Sequence, residues 1–149
     1  MAEDTLASAQ MAARLGLEII VVKAASENEI EVAFASAVQQ GAAALFAVDA
    51  YFTARREGIA ALGLRHNLPT LGVPQAVAAG VLLGYGASIP DSYRQAGVYV
   101  GRILRGEKPG DLPVQQPTRF KLVINLKTAK ALGLTIPESF LLRADEVIE

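Results

Sequence analysis

"LEIIVVKAASENEIEVAFASAVQQGAAALFAV", residues 17–48, decides the fold. Its first run, 17–24, is apolar throughout and rich in Ile and Val, the pattern of a strand buried on both faces. Ser26 and Glu29 follow with the spacing of a capping box, which predicts a helix start. Ile30, Phe34, Ala37 and Val38 form that helix's inner stripe, and Gly41 ends it. The run "AALFAV", 43–48, is the next buried strand. Strand, helix and strand in this order, with both strands apolar on both sides, call for a parallel sheet covered by helices.

The same alternation extends in both directions. Upstream, "DTLASAQMAARLG" (4–16) predicts a helix capped by Asp4 or Thr5, with Leu6, Ala9, Ala13 and Leu15 at helical spacing and Gly16 as its stop. Downstream, a helix is expected over about 52–66, with Ile59 and Leu62 inside. "LPTLGVP" (68–74) reads as a short strand bounded by prolines, residues 75–79 as a helical turn, and "GVLLGYG" (80–86) as another strand. The fold class is therefore α/β, an open parallel sheet flanked by helices, with right-handed crossovers.

After Gly86 the character changes. One helix is opened by Pro90 and Asp91, lined by Val98, Ile103 and Leu104, and closed by Gly106. A Pro-punctuated stretch then ends in an alternating strand, 119–124. "LKTAKALGL" is a short helix, and a helical tail is expected from Pro137. The chain thus divides into an α/β lobe with parallel strands, 1–86, and a segment 87–149 holding a returning helix, a crossover strand and a C-terminal helical tail.

Composition excludes several function classes. The chain has 149 residues, of which 52% are hydrophobic, and a net charge of −1; it is a globular domain with no basic stripe for nucleic acid. It has no cysteine, and its single histidine, His66, cannot build a multi-histidine metal site. No run reaches the roughly 18 apolar residues of a membrane span. Glu3 and Asp4 stand where an export signal carries positive charge, so the expectation is a chain without such a signal, cytoplasmic if Met1 is the native start.

Chemistry in an open parallel sheet gathers beyond the carboxyl ends of the strands. Three strand ends stand out: Asp49-Ala50-Tyr51-Phe52, Pro74-Gln75 and Tyr85-Gly86-Ala87-Ser88. A carboxylate there takes an ammonium or hydroxyls, rings stack on an apolar or aromatic ligand, and Gly86 lets backbone approach it. Each has a plain structural role beside the functional one. Asp49 suits a helix cap, Tyr51 and Phe52 a lid over the core, and Tyr85 a half-buried strand position. His66, beside Arg65 at a helix end, reads as a surface or dipole-compensating residue, and Arg55 and Arg56 as a solvated helix face. "GYGAS" is half of a glycine-rich phosphate loop, and the rest of the motif does not follow, so no cofactor is expected. His66 stands at the opposite end of its helix from Asp49, and no paired carboxylates appear. The residues favour a binding protein over an enzyme.

Four phrases carry a resemblance: "VDAYFTARREGIAALGLRHNLP" (48–69), "RILRGEKPGDLPVQQPTRF" (102–120), "LVINLKTAKALGL" (122–134) and "RADEVIE" (143–149). With these the chain resembles the C-terminal half of substrate-binding proteins of ATP-binding-cassette importers, in the tryptophan- and tyrosine-type subfamily. The resemblance implies a type I periplasmic binding fold, in which two α/β lobes close on a small ligand and the chain crosses the hinge three times. It makes residues 1 to about 86 most of the second lobe, helix 90–106 the return to the first lobe, and strand 119–124 a crossing back. It implies a small-molecule ligand, an amino acid or aromatic compound, a membrane permease as partner, and a periplasmic location. It places Asp49, Tyr51, Phe52, Gln75, Tyr85, Gly86 and Ser88 at ligand-binding positions. Val73, Pro74, Gln75, Ala76 and Val77 replace the aromatic and charged side chains usual before the "GYG" turn, which implies altered or lost specificity.

By the same likeness, a central strand of a 2-1-3-4-5 sheet would precede residue 4. Without it, the strands at 17–24 and 43–48 are expected to pair directly, or a second copy to cover the exposed surface by swapping segment 90–149. Either way a homo-oligomer is expected. The alternative reading is a cytoplasmic ligand-sensing or protein-interaction domain on the same fold.

Overall fold

Residues 11–47 and 49–149 are described by a computed structural model. Of the expected N-terminal helix, residues 5–10 and the capping positions Asp4 and Thr5 lie outside the described residues. Residues 11–14 are helical, and Gly16, at φ 72°, turns the chain out of the helix.

Five strands form one open sheet in sequence order: β1 (Leu45–Phe46), β2 (Thr70–Gly72), β3 (Leu83–Ala87), β4 (Phe120–Asn125) and β5 (Glu146–Ile148). The pairs β1–β2, β2–β3 and β4–β5 are parallel, and helices flank the sheet. β3–β4 is antiparallel, so the sheet is parallel among the strands of residues 1–86, as expected, and turns mixed where the segment after Gly86 returns. The cause is the excursion between them. Helix α4 (Ile89–Leu104) leaves the sheet with no residue buried, and the chain returns beside the strand it left, running back along it.

The core lies under helix α1 (Glu27–Gln39). Ser26 accepts from the Glu29 amide, the first half of the expected capping box, while Glu29 Oε2 reaches one residue further back and accepts from the Ala25 amide at 2.7 Å. Ile30, Phe34 and Ala37 of α1 meet Ile59 and Leu68. The helix expected over 52–66 is two helices, α2 (Ala50–Thr53) and α3 (Arg56–Arg65), broken where Arg55 takes φ −111°, ψ 23°. Gly63 seats α3 on β2, since a Cβ there would lie 2.7 Å from Thr70 Cγ2. A 3-10 helix, Pro74–Ala79, links β2 to β3 and buries Ala76 and Val77.

The run 17–24 does not form the expected strand, and it does not pair with β1. Ile20, Val22 and Ala24 are half-buried, with Val22 and Ala24 against the core cluster, while Leu17, Ile19 and Val21 are exposed. Among the described residues the backbone of 18–24 makes no hydrogen bond. The side chains behave as a strand's would, but a strand is stabilised by a neighbour's backbone, and β1 is the sheet's edge. Between the two lies a small apolar cavity of about 60 Å³ reached by Val22, Phe34, Phe46 and Phe52.

Two further expectations change. His66 is half-buried rather than a surface residue. It ends α3, and its ring stacks on Phe34 at 5.9 Å, leaving Nε2 buried without a hydrogen-bond partner. Asn67, at φ 48°, makes the tight turn that follows, before the chain enters β2. After β4 comes the short helix α5 (Leu126–Ala131), and the C-terminal tail is helical only in α6 (Glu138–Leu141) before it forms β5. Asp145 fixes that strand, because its amide donates to Leu122 O and its Oδ2 accepts from the Leu122 amide, both near 2.8–2.9 Å. β4 pairs with β3 of the same chain, from Phe120 opposite Ala87 to Ile124 opposite Leu83.

Candidate functional site

The carboxyl ends of β1, β2 and β3 lie along one edge of the sheet, and the antiparallel β4 begins there. This edge carries the predicted residues. Asp49 is exposed and caps α2: Oδ1 accepts from the Tyr51 amide at 2.8 Å, and its carbonyl accepts from the Thr53 amide. The second carboxylate oxygen has no protein partner among the described residues. Asp49 is thus both a cap and an exposed anion.

Tyr51 and Phe52 meet edge to face at 5.5 Å and lean on the core cluster. The Arg55 guanidinium lies 3.8 Å from the Tyr51 ring centroid and is tied to Glu27 at 3.1 Å. One face of Tyr51 is therefore occupied by a cation. Arg55, expected on a solvated face, has this packing task instead.

Gln75 is exposed in the first turn of the 3-10 helix. Beneath this turn, Gly84 and Gly86 allow β3 to pass close by: a Cβ on Gly86 would lie 3.3 Å from Pro74 Cδ. Tyr85, between them, points to the other face of the sheet. Its ring stacks on Phe120 with centroids 5.8 Å apart and planes at 17°.

Ser88 is buried and caps α4. Its Oγ accepts from the Asp91 amide, and its own amide donates to Arg119 O at 2.9 Å. It opens a groove of about 810 Å³ between α4 and the extended residues 115–119, with Asp91, Arg94, Tyr99, Gln116 and Arg119 among its walls. Asp91 pairs with Arg94 and, at 3.4 Å, with Arg119. Burial pushes the Asp91 carboxyl up, but the Ser88 hydrogen bond and the two guanidiniums outweigh it and hold the pKa below the ordinary value. Two guanidiniums against one carboxylate leave the groove with a net positive charge.

The structure brings the three strand ends to one edge but does not close a pocket over them. Ser88 lines the groove beside α4 and Phe52 the small cavity under α1, while Asp49, Tyr51, Gln75, Tyr85 and Gly86 line neither. Sequence reasoning missed Phe120, Asp91, Arg94 and Arg119 as parts of this edge. Phe120 was visible only as one position of an alternating strand, and nothing in the pattern said which residue it would face. Among the described residues no group of acidic or histidine side chains could hold a metal, and no helix is long and apolar enough to cross a membrane.

Comparison with known proteins is consistent with this geometry. A conserved domain protein from Vibrio cholerae superposes with a TM-score of 0.85 at 27% identity, covering 98% of this chain and 50% of its own. An ABC domain from Streptococcus pneumoniae, solved in complex with L-Trp, gives 0.84 at 26%, covering 99% and 52%. A substrate binding protein with adhesive properties from Clostridium difficile, in its ligand-free, open form, shares the fold with a TM-score of 0.66 at 20% identity, covering 93% and 47%. No curated protein sequence matches the chain. The chain spans about half the length of these solved relatives. The family model for ABC transporter substrate binding proteins, a binding and not a catalytic family, matches residues 5–148. With the sheet, the unclosed edge and this match in agreement, the chain belongs to the ABC transporter substrate binding protein family.

Proposed function

We propose that this chain forms one lobe of the solute-binding component of an ATP-binding-cassette importer, and that it binds a small amino acid or aromatic compound without catalysis. The observation that carries this reading is the strand-end edge, which carries both Asp49, one of whose carboxylate oxygens has no partner among the described residues, and the exposed Tyr85 ring. A carboxylate suits an ammonium group and a ring suits a flat apolar one. The Streptococcus relative, solved with L-Trp, supports the amino-acid class. Gln75, Gly86 and Ser88 complete the binding edge; Tyr51 and Phe52, which lean on the core, contribute their exposed margins. A membrane permease is the partner and the periplasm the location that the family supports.

The outward side of α4 supports a protein contact as well. Ile89, Tyr93, Val100 and Leu104 are exposed along one helical stripe, as expected of a face that meets a second lobe or a second copy. Homo-oligomerisation through this stripe is the form the chain takes by itself, and light scattering showing a monomer at high concentration would count against it.

The test of binding is a thermal-shift screen against amino acids and small aromatic acids. A ligand at 100 times its Kd stabilises by about 2.7 kcal/mol. Asp49→Ser keeps a capping hydroxyl and removes the charge, so it should lose the ligand shift and little stability. No shift with any compound in the unsubstituted protein would sink the proposal.

A further inference from the structure

We propose that Phe120 sets ligand specificity at this edge, forming with Tyr85 a two-ring wall that selects flat aromatic ligands over aliphatic ones. This rests on the binding role just proposed and adds a residue and a selection rule to it.

The register of β3 and β4 creates the pair. Tyr85 stands opposite Leu122 and Ala87 opposite Phe120, so Tyr85 and Phe120 are diagonal neighbours on one face. Their planes lie within 17° of each other, so the two rings present nearly parallel flat surfaces. Tyr85 is 58% exposed and Phe120 51%, although each is a large ring that burial would favour. The opposite face of the same strand end is closed, because Val73 and Pro74 lie against Gly84 and Gly86. β3 thus ends with one face shut and one face open, and the open face is aromatic.

Phe120 is also held in place from both sides. Ahead of it, Arg119 O accepts from the Ser88 amide. Behind it, Lys121 pairs with Gly86 in the ladder. The backbone that carries the ring is thus already ordered before a ligand arrives, which favours affinity. A flat ligand ring gains dispersion and quadrupole complementarity against such a wall, whereas an aliphatic side chain gains only buried area. The wall therefore discriminates between them rather than strengthening both.

The chain contains no tryptophan, so indole emission in a titration with L-Trp comes from the ligand alone. Kd for L-Trp is measured by that emission and Kd for L-leucine by calorimetry, in the unsubstituted protein, Phe120→Leu and Asp49→Ser. Urea midpoints confirm that each variant folds. The expected result is that Phe120→Leu weakens L-Trp about tenfold and leaves L-leucine within about twofold. Asp49→Ser should weaken both. If Phe120→Leu binds L-Trp as well as before while Asp49→Ser does not, the binding role stands and the specificity role of Phe120 falls. If Phe120→Leu weakens both ligands equally, or changes only the oligomeric state, the ring is structural and the proposal is overturned. If the unsubstituted protein binds neither ligand, the binding role itself fails and this inference goes with it.

Discussion

Replacing Gly84 by alanine is the sharpest test of how β3 is seated. Gly84 is buried in the middle of β3, paired with Gly72 on one side and Val123 on the other. A Cβ there would lie 2.6 Å from Val73 O and 2.7 Å from Val73 C and Pro74 Cα. All three are backbone atoms, so no side chain can swing aside. β3 cannot retreat without opening both ladders. The 3-10 helix cannot retreat easily either, since Asn125 Nδ2 donates to Val77 O at 3.1 Å and Thr128 Oγ1 donates to Gly80 O at 2.9 Å. Overpacking ordinarily costs about 1–3 kcal/mol, and the rigidity of this contact puts Gly84→Ala at the upper end, about 3 kcal/mol. Gly97→Ala is the matched control. Gly97 is exposed within α4 and a Cβ there meets nothing within 4 Å, so alanine should stabilise the chain by about 0.5–1 kcal/mol. With a urea m-value of about 2 kcal/mol/M, the first variant lowers the midpoint by about 1.5 M and the second raises it by a few tenths. A Gly84→Ala midpoint within about 0.25 M of the unsubstituted protein, at unchanged m, would refute the argument that Val73–Pro74 is clamped on β3.

Asn125→Ala removes the α5 (Leu126–Ala131) cap, whose Oδ1 accepts from the Thr128 amide, and strands the buried Val77 carbonyl. A loss of about 2–3 kcal/mol in urea unfolding is expected, and Asn125→Asp should lose at least as much, because it keeps the cap acceptor but sets a buried carboxylate oxygen against the Val77 carbonyl. Asp91 has a folded pKa below its unfolded one, so its contribution is present above the ordinary carboxylate pKa and is lost as pH falls through the folded value. Asp91→Asn should therefore flatten the acid limb of stability below about pH 4, and an identical acid limb in both proteins would contradict the pairing with Arg94 and Arg119. Amides 18–24 should exchange with solvent orders of magnitude faster than those of Val123 and Ile124, which sit in a strand paired on both sides. Equal protection would mean that the run 17–24 has a backbone partner.

The parts of the fold legible in the sequence were those fixed by local rules. The Ser26–Glu29 start of α1 and its stripe of Ile30, Phe34 and Ala37 are written in neighbouring residues, though Val38, expected in that stripe, is exposed; the start of α4 expected at Pro90 and Asp91 falls at Ile89, capped by Ser88. What failed depended on partners distant in the chain. The run 17–24 has a strand's composition, yet composition supplies only side chains; the hydrogen bonds of a strand come from a neighbour, and here β1 is not one. The β5 tail failed in the opposite direction. Glu146–Ile148 is too short for its own pattern to speak, and it becomes a strand because Asp145 locks onto Leu122, 23 positions earlier.

The same division holds for the candidate site. Asp49 could be found because an acid at the end of an apolar run is locally unusual, and the structure adds that its capping bond uses one oxygen and leaves the other exposed. Phe120 could not be found, because its meaning lies in the pairing of Ala87 with Phe120, which no single stretch contains. The stacking of Tyr85 on Phe120 becomes visible only once the antiparallel return of β4 is known. The charged groove between α4 and 115–119 belongs to that second class too: Asp91 and Arg119 are 28 positions apart, and the β3–β4 ladder, continued by the Ser88–Arg119 backbone bond, brings them together.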